Sequence, residues 1–431
     1  MTLLKLPVGD IEFEMTKAFR ILKPILKNLS FKAALYAFGA VFASLVAVFF
    51  APYVPDSLAE LLGGSAVDRI LAIMASSMLA VVTFSLSTLV TSYATAASIA
   101  SPRATALIME DSSARNTLSA FLGAFIFSVV SMVALSTKYY GEKGRVILFI
   151  VTTGVLVLII LAMIKWIGQL SQYSLLTNLI ERIERKAEAT IAKNIHFFDF
   201  DDRAVAVSRT FTAQLKSVKS GFVRFIDLDQ LSKVADRRQI RIHVETVVGR
   251  YVLPQDLIIS FEGDIGTDVE QKEVLGCVEI GSDRELDNDP RFAFVVLSEI
   301  GSKALSPGIN DPGTAIQILT SLAKLILVSK NEASESTRIE CSKRLSFRKI
   351  SSDEVFEDSF HAIARDGAGV IEVIVFLQRI LQSFAADPAM SESAKRMARY
   401  SYDLSRIGLK VTRDMDRVRM IYENSAAVGT V

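Results

Sequence analysis

The chain has 431 residues, 51% of them hydrophobic, with a mean hydropathy of +0.37 and a formal charge of +1 from 48 basic and 47 acidic side chains. That balance supplies no net basic face for a phosphate backbone, so no nucleic-acid partner is expected. The apolar excess is uneven: it lies between Phe31 and Trp166, while the remainder carries charges every few residues, as a globular sequence does.

The opening MTLLKLPVGDIEFEMTK is not a signal peptide, because a short apolar run is followed at once by Asp10, Glu12 and Glu14. Residues 1–30 are expected to form a cytoplasmic segment. Four nearly uncharged stretches follow, each long enough for the roughly 20 helical residues that cross a hydrocarbon core. They run over about 31–54, from after Asp68 and Arg69 to about 100, over 116–137, and over 146–164, with Lys165 and Trp166 as an interfacial anchor. Residues 31–167 are thus predicted to be a four-helix transmembrane domain.

Orientation follows from Lys5, Lys17, Arg20, Lys23, Lys27 and Lys32 ahead of the first span, and from the lack of any Lys or Arg in the loop over 51–68. Both termini are then cytoplasmic. Lys138, Lys143 and Arg145 run against this rule.

The second span carries hydroxyls at Ser85, Thr88, Ser92 and Thr95, spaced to share one helical face. Two readings stand side by side: bonding back to the preceding turn with close helix packing, or a water-filled path in an oligomer. Ser101-Pro102-Arg103 should end or bend that helix, leaving Arg103 at the mouth of such a path or on a headgroup.

Residues 168–215 are expected to be an amphipathic connector, 216–285 a small β-rich unit of four or five strands, and 286–431 a mainly helical region. In the β-unit, GFVRFID is a strand and 228–238 a short helix. Ile240, Ile242 and Val244 alternate strictly with Arg241, His243 and Glu245, and a further strand covers about 273–280. His243 falls on the solvent face. With His196 and His361 it lacks partners at ligand spacing, and Cys277 and Cys341 are far apart, so no metal, cofactor or disulfide framework is expected.

A short repeat marks the helical region. Asp289-Pro290 opens one segment and Asp311-Pro312 another, each reading as an aspartate N-cap with proline at the first helical position. Ser306-Pro307-Gly308-Ile309-Asn310 between them is a tight turn. An anion near Gly313 or Thr314 competes there with the Asp311 carboxylate, which favours the structural reading. A strand pair is expected over 338–349, then helices over 353–385, broken at Asp366-Gly367, and over 392–424. His361, Asp358 and Glu357 read as a solvated helix face.

Two blocks resemble a family of bacterial membrane proteins known only as a domain of unknown function. One is FSLSTLV (84–90) with Ser101-Pro102-Arg103, Asp111 and Phe121-Leu122-Gly123. The other is Asp289-Pro290 leading to Ser306-Pro307-Gly308-Ile309-Asn310-Asp311-Pro312, and VVGRYVLPQDL (247–257) is similar as well. Gln255 and Gly313 depart from the family pattern. The resemblance implies four spans in a bacterial inner membrane and a cytoplasmic C-terminal α+β domain, with no established activity. Three functions follow as expectations. One is a homo-oligomeric ion channel lined by the second span, suggested by the absence of intramembrane charge. Another is a membrane-anchored regulatory or scaffold module. The third, an enzyme, is disfavoured because no phosphate loop, nucleophile elbow or zinc spacing is present.

Overall fold

The computed structural model describes residues 66–99, 101–104, 112–136, 141–173, 176–200, 211–263, 268–335 and 342–427, with scattered positions over 31–55. These residues form two compact units, one from 1–96 and 106–175, the other from 97–105 and 176–431.

Among the described residues the first unit holds three long helices, α1 (Ala66–Ile99), α2 (Ser112–Ser136) and α3 (Glu142–Tyr173). At about 1.5 Å per residue each is longer than a roughly 30 Å hydrocarbon core. An ion pair of 3.6 Å joins Arg145 to Asp68, so the N-terminal ends of α1 and α3 meet. The helices pack through Met74, Met78, Leu118, Phe121, Ala124 and Ile159. Their outer faces remain apolar, with Ile73, Phe84 and Val90 on α1 and Ile150, Leu158, Leu161 and Ile164 on α3 all exposed. A helix that is apolar all round is stable in lipid, not in water. The first expected span lies largely outside the described residues.

Trp166 departs from the interfacial anchor that the sequence suggested. It is 3% exposed, and its Nε1 donates to Ser85 Oγ at 2.9 Å, because α3 continues well past residue 164 and carries the indole into the helix interface.

The second unit begins with α4 (Leu176–Asn194). Expected as a connector, this helix is folded onto its own unit, burying Leu179, Ile180, Ile183, Ala187 and Ile191. A four-stranded sheet takes the order β2 (Ala213–Lys216), β6 (Leu257–Glu262), β4 (Arg241–Val244), β8 (Leu345–Phe347). A three-stranded sheet places β3 (Gly221–Ile226) between β5 (Tyr251–Val252) and β7 (Val278–Gly281). Ile240, Ile242 and Val244 are buried as their alternation requires, while His243 is half-buried and shares a 2.9 Å hydrogen bond with Ser346 Oγ. Of the strand pair expected over 338–349, residues 338–341 lie outside the described residues; β8 runs parallel to β4, and β9 (Ile350–Ser351) parallel to β1 (Phe198–Asp199). The short helix expected over 228–238 is α5 (Leu228–Arg238), and the strand expected from 273 begins only at Val278, since α6 (Asp268–Gly276) occupies the preceding residues.

The helical layer comprises α7 (Phe292–Ala304), α8 (Pro312–Glu335), α9 (Ser352–Asp366), α10 (Ile371–Ala385), α11 (Ser391–Gly408) and α12 (Thr412–Ala427). Among the described residues four helices are long and apolar enough to cross a membrane by length and composition, and α8 is the fourth beside α1, α2 and α3. Its apolar side chains Ala315, Ile318, Leu319, Leu322, Leu325 and Ile326 are already fully buried within its own unit, so that face has no need of lipid. The single helix expected over 392–424 is divided. Gly408 passes so close to Ala368 and Gly369 that a Cβ would lie 2.5 Å from the Ala368 carbonyl carbon, and the chain turns there.

Candidate anion site

Four arginines converge on a cavity of about 600 Å³ in the second unit, lined by Gly249, Arg250, Arg284, Arg291, Arg348 and Glu354. Distant parts of the chain supply them. Gly249 and Arg250 form the turn from β4 to β5, Arg284 follows β7, and Arg291 precedes α7. Arg348 stands between β8 and β9, and Glu354 lies in the first turn of α9.

Asp289 anchors the cluster from beneath. It is 1% exposed, its Oδ2 accepts from Arg284 Nε at 2.6 Å, and its Oδ1 accepts from the Arg291 backbone N–H at 3.0 Å. The Arg284 guanidinium also lies over the Phe292 ring, 5.0 Å from its centroid. Gly249 adopts φ +88°, and a Cβ on it would fall 2.2 Å from Asp289 Oδ2 and 2.7 Å from Arg284 Nη2. Only glycine lets the turn approach that ion pair.

Arg291 bridges two carboxylates, with Nε donating to Asp358 Oδ2 and Nη1 to Glu354 Oε1, both at 2.7 Å. Burial opposes its charge, but Asp358, Glu354 and Asp289 outweigh burial and raise its pKa. Burial pushes the Asp358 carboxyl up in turn, against the pull of Arg291 and Arg284. Burial and the Arg291 charge thus pull Asp358 in opposite directions, and the 2.7 Å bond fits an ionised pair. Glu354 Oε1 accepts a second guanidinium, Arg348 Nη2 at 3.0 Å, while Oε2 accepts from the Ser351 N–H at 3.2 Å in a capping box. Arg250 donates to the Glu245 carbonyl at 3.4 Å and meets no carboxylate among the described residues. Among the described residues four guanidiniums thus face three carboxylates, and Arg250, Arg284 and Arg348 keep donors that no carboxylate takes. Guanidinium N–H groups in such an arrangement have the geometry that suits oxyanions.

The sequence reading missed most of this cluster. It placed Asp289 as an N-cap and Asp358 on a solvated face. Asp289 instead holds Arg284 and Arg291 three positions ahead of α7, and Asp358 is the partner of Arg291. The pattern Ser351-x-x-Glu354 was legible as a capping box; the arginines, scattered over about 100 residues, carried no local signal.

The second half of the repeat behaves as expected. Asp311 caps α8, accepting from Thr314 N at 3.1 Å and Thr314 Oγ1 at 2.7 Å, and these bonds hold its pKa below the ordinary value. Both groups that were considered for an anion near Thr314 are therefore engaged. Pro290 is buried and Pro312 half-buried, whereas Pro307, Gly308 and Asn310 are exposed in the turn. There the Asn310 N–H donates to the Ser306 carbonyl at 2.9 Å, and Asn310 takes φ +51°.

Of the hydroxyls on α1, Ser85 is enclosed by Trp166 and so is withdrawn from any path. Thr88 and Thr95 bond back to the carbonyls of Phe84 and Thr91, each at 3.0 Å, and Ser92 is half-buried. Arg103 does not stand free at a pore mouth. It pairs with Glu299 of α7, and Lys303 Nζ donates to the Ala97 carbonyl at 3.0 Å. The backbone N–H of Ala104 donates to Ser101 Oγ at 3.2 Å, so Ser101-Pro102 opens a new helical turn after the break.

Residues 27–383 match the family described as "Predicted membrane protein (DUF2254)". Uncharacterized proteins of Mycobacterium bovis and Mycobacterium tuberculosis are each 27% identical over 206 residues, 45% of this chain and 39% of theirs. The match thus spans about two fifths of those relatives' length. No solved structure matches.

Proposed function

We propose that this chain, which belongs to the DUF2254 family of predicted membrane proteins, is a membrane-anchored binding protein that takes a small oxyanion in the arginine-lined cavity of its C-terminal unit. One observation carries the reading: among the described residues four guanidiniums line a single cavity and outnumber the carboxylates that hold them. Arginines placed for stability alone are normally matched by partners, whereas Arg250 and part of Arg348 are not. The basic N-terminal residues favour a cytoplasmic location for this unit. Arg145, one of the charges that runs against that orientation, is paired with Asp68.

The test is calorimetric titration of the purified full chain in detergent with phosphate and pyrophosphate. Arg250 and Arg348 are the arginines most open to water, so Arg250→Ala with Arg348→Ala probes the site without removing a buried ion pair. Each charge-assisted hydrogen bond contributes about 1.5–3 kcal/mol, so the double variant should bind at least about tenfold more weakly. Equal affinity in both proteins, or no binding of either anion, overturns the reading.

A homo-oligomeric channel is the second reading. Its support is a row of exposed hydroxyls on α1 at Ser76, Thr83, Ser87, Thr91 and Thr95, away from the packed face, with Thr88 and Ser92 beside it. Planar bilayers that stay silent across salts and voltages would remove it.

A further inference from the structure

The geometry points to a compact polyanion of the pyrophosphate class as the ligand, bound in competition with the side chain of Glu354. This rests on the reading of the cavity as an oxyanion site and extends it to ligand class and mechanism of entry.

Size comes first. Orthophosphate is far smaller than the cavity of about 600 Å³, which lies in the range of pockets that hold multi-group ligands. Donor supply agrees. Arg284 uses Nε on Asp289, and Arg348 uses Nη2 on Glu354. Arg250 uses only one Nη, on a backbone carbonyl. Three guanidiniums from three different loops therefore offer further N–H groups, more than one phosphoryl group accepts at once.

Chemistry of the walls then argues against a nucleoside. Among the described residues the lining consists of four arginines, one glutamate and one glycine, with no aromatic or aliphatic side chain to stack on a base or cover a ribose. Phe292 is occupied beneath Arg284. Nucleotide affinity should thus come from the phosphates alone.

Glu354 is already an internal anion in this site. Its Oε1 accepts from Arg291 and Arg348 together, the position that a phosphoryl oxygen would take between two guanidiniums. Arg291 is held independently by Asp358, but the only carboxylate that meets Arg348 among the described residues is Glu354. A polyanion entering from the Arg250 side would draw Arg348 away from Glu354, leaving Arg291 in place. Glu354 thereby lowers affinity and selects for ligands carrying enough charge to displace it.

Glu354→Gln is a clean probe because glutamine also completes a capping box, so the start of α9 is retained. The full chain in detergent, without divalent cations, is titrated with pyrophosphate, orthophosphate, citrate and ADP. Expected are pyrophosphate at least tenfold tighter than orthophosphate, ADP no tighter than pyrophosphate, and severalfold tighter pyrophosphate binding in Glu354→Gln. Should ADP bind tenfold tighter than pyrophosphate, or citrate outrank it, the ligand class is wrong. Unchanged or weaker pyrophosphate binding in a Glu354→Gln protein of wild-type thermal stability refutes the competition. A wild-type chain that binds none of the four anions overturns the oxyanion reading itself, an outcome separate from both.

Discussion

Asp289 and Asp311 occupy matching positions in a repeated Asn-Asp-Pro sequence, yet Asp289 is the buried partner of Arg284 and Asp311 an exposed helix cap. Their replacement should differ accordingly. Asp311→Ala removes a cap and is expected to cost about 1 kcal/mol. Asp289→Ala leaves the half-buried Arg284 without its carboxylate and should cost about 1.5–3 kcal/mol. Thermal unfolding of both variants in the same detergent ranks them; equal losses would mean that the Arg284 contact is not a stabilising feature.

Gly249 is the point where the β4–β5 turn closes over that ion pair. Any side chain there faces both a left-handed backbone and the Asp289 carboxylate. Gly249→Ala should destabilise by about 1–3 kcal/mol and weaken anion binding, because Asp289 and Arg284 must shift to admit the methyl group. A variant with wild-type melting and wild-type affinity would contradict the geometry.

Trp166 is the chain's single tryptophan, which makes its environment directly measurable. Burial against Ser85 predicts blue-shifted emission that aqueous acrylamide barely quenches. Ser85→Ala should leave the indole N–H without its acceptor at a cost of about 0.6–1.7 kcal/mol, the range found for hydrogen bonds between membrane helices. Strong quenching in the wild type would instead place the ring at the water interface.

His196, just after α4, sits against Phe197 and Phe347. Burial, reinforced by Lys349 and opposed by Asp229, lowers its pKa from 6.5 to about 4. Between those values the unfolded chain binds a proton that the folded chain does not. Stability contributed by neutral His196 is therefore full above about pH 6.5 and is lost as pH falls toward 4. His196→Phe retains the ring contacts and should flatten this part of the pH profile. Thermal scans from pH 7 to pH 4 on both proteins measure the difference, and parallel profiles would refute the assignment.

Hydrophobicity is a local property, so the sequence alone determined that α1, α2 and α3 belong in lipid. Alternation and caps are local as well, which is why the Ile240-Ile242-Val244 face and the Asp311 cap were legible. Only the tertiary structure decided that Trp166 turns inward, that β8 joins β4 from about 100 residues away, and that Asp289 and Asp358 serve arginines rather than helix ends or water. The physical reason is range. A hydrogen-bonded turn or an apolar face is set within a few residues, whereas an arginine cluster exists only once folding has brought remote loops together. Arg250, Arg284, Arg291 and Arg348 look like ordinary surface charges until the two sheets and α9 place them around one cavity.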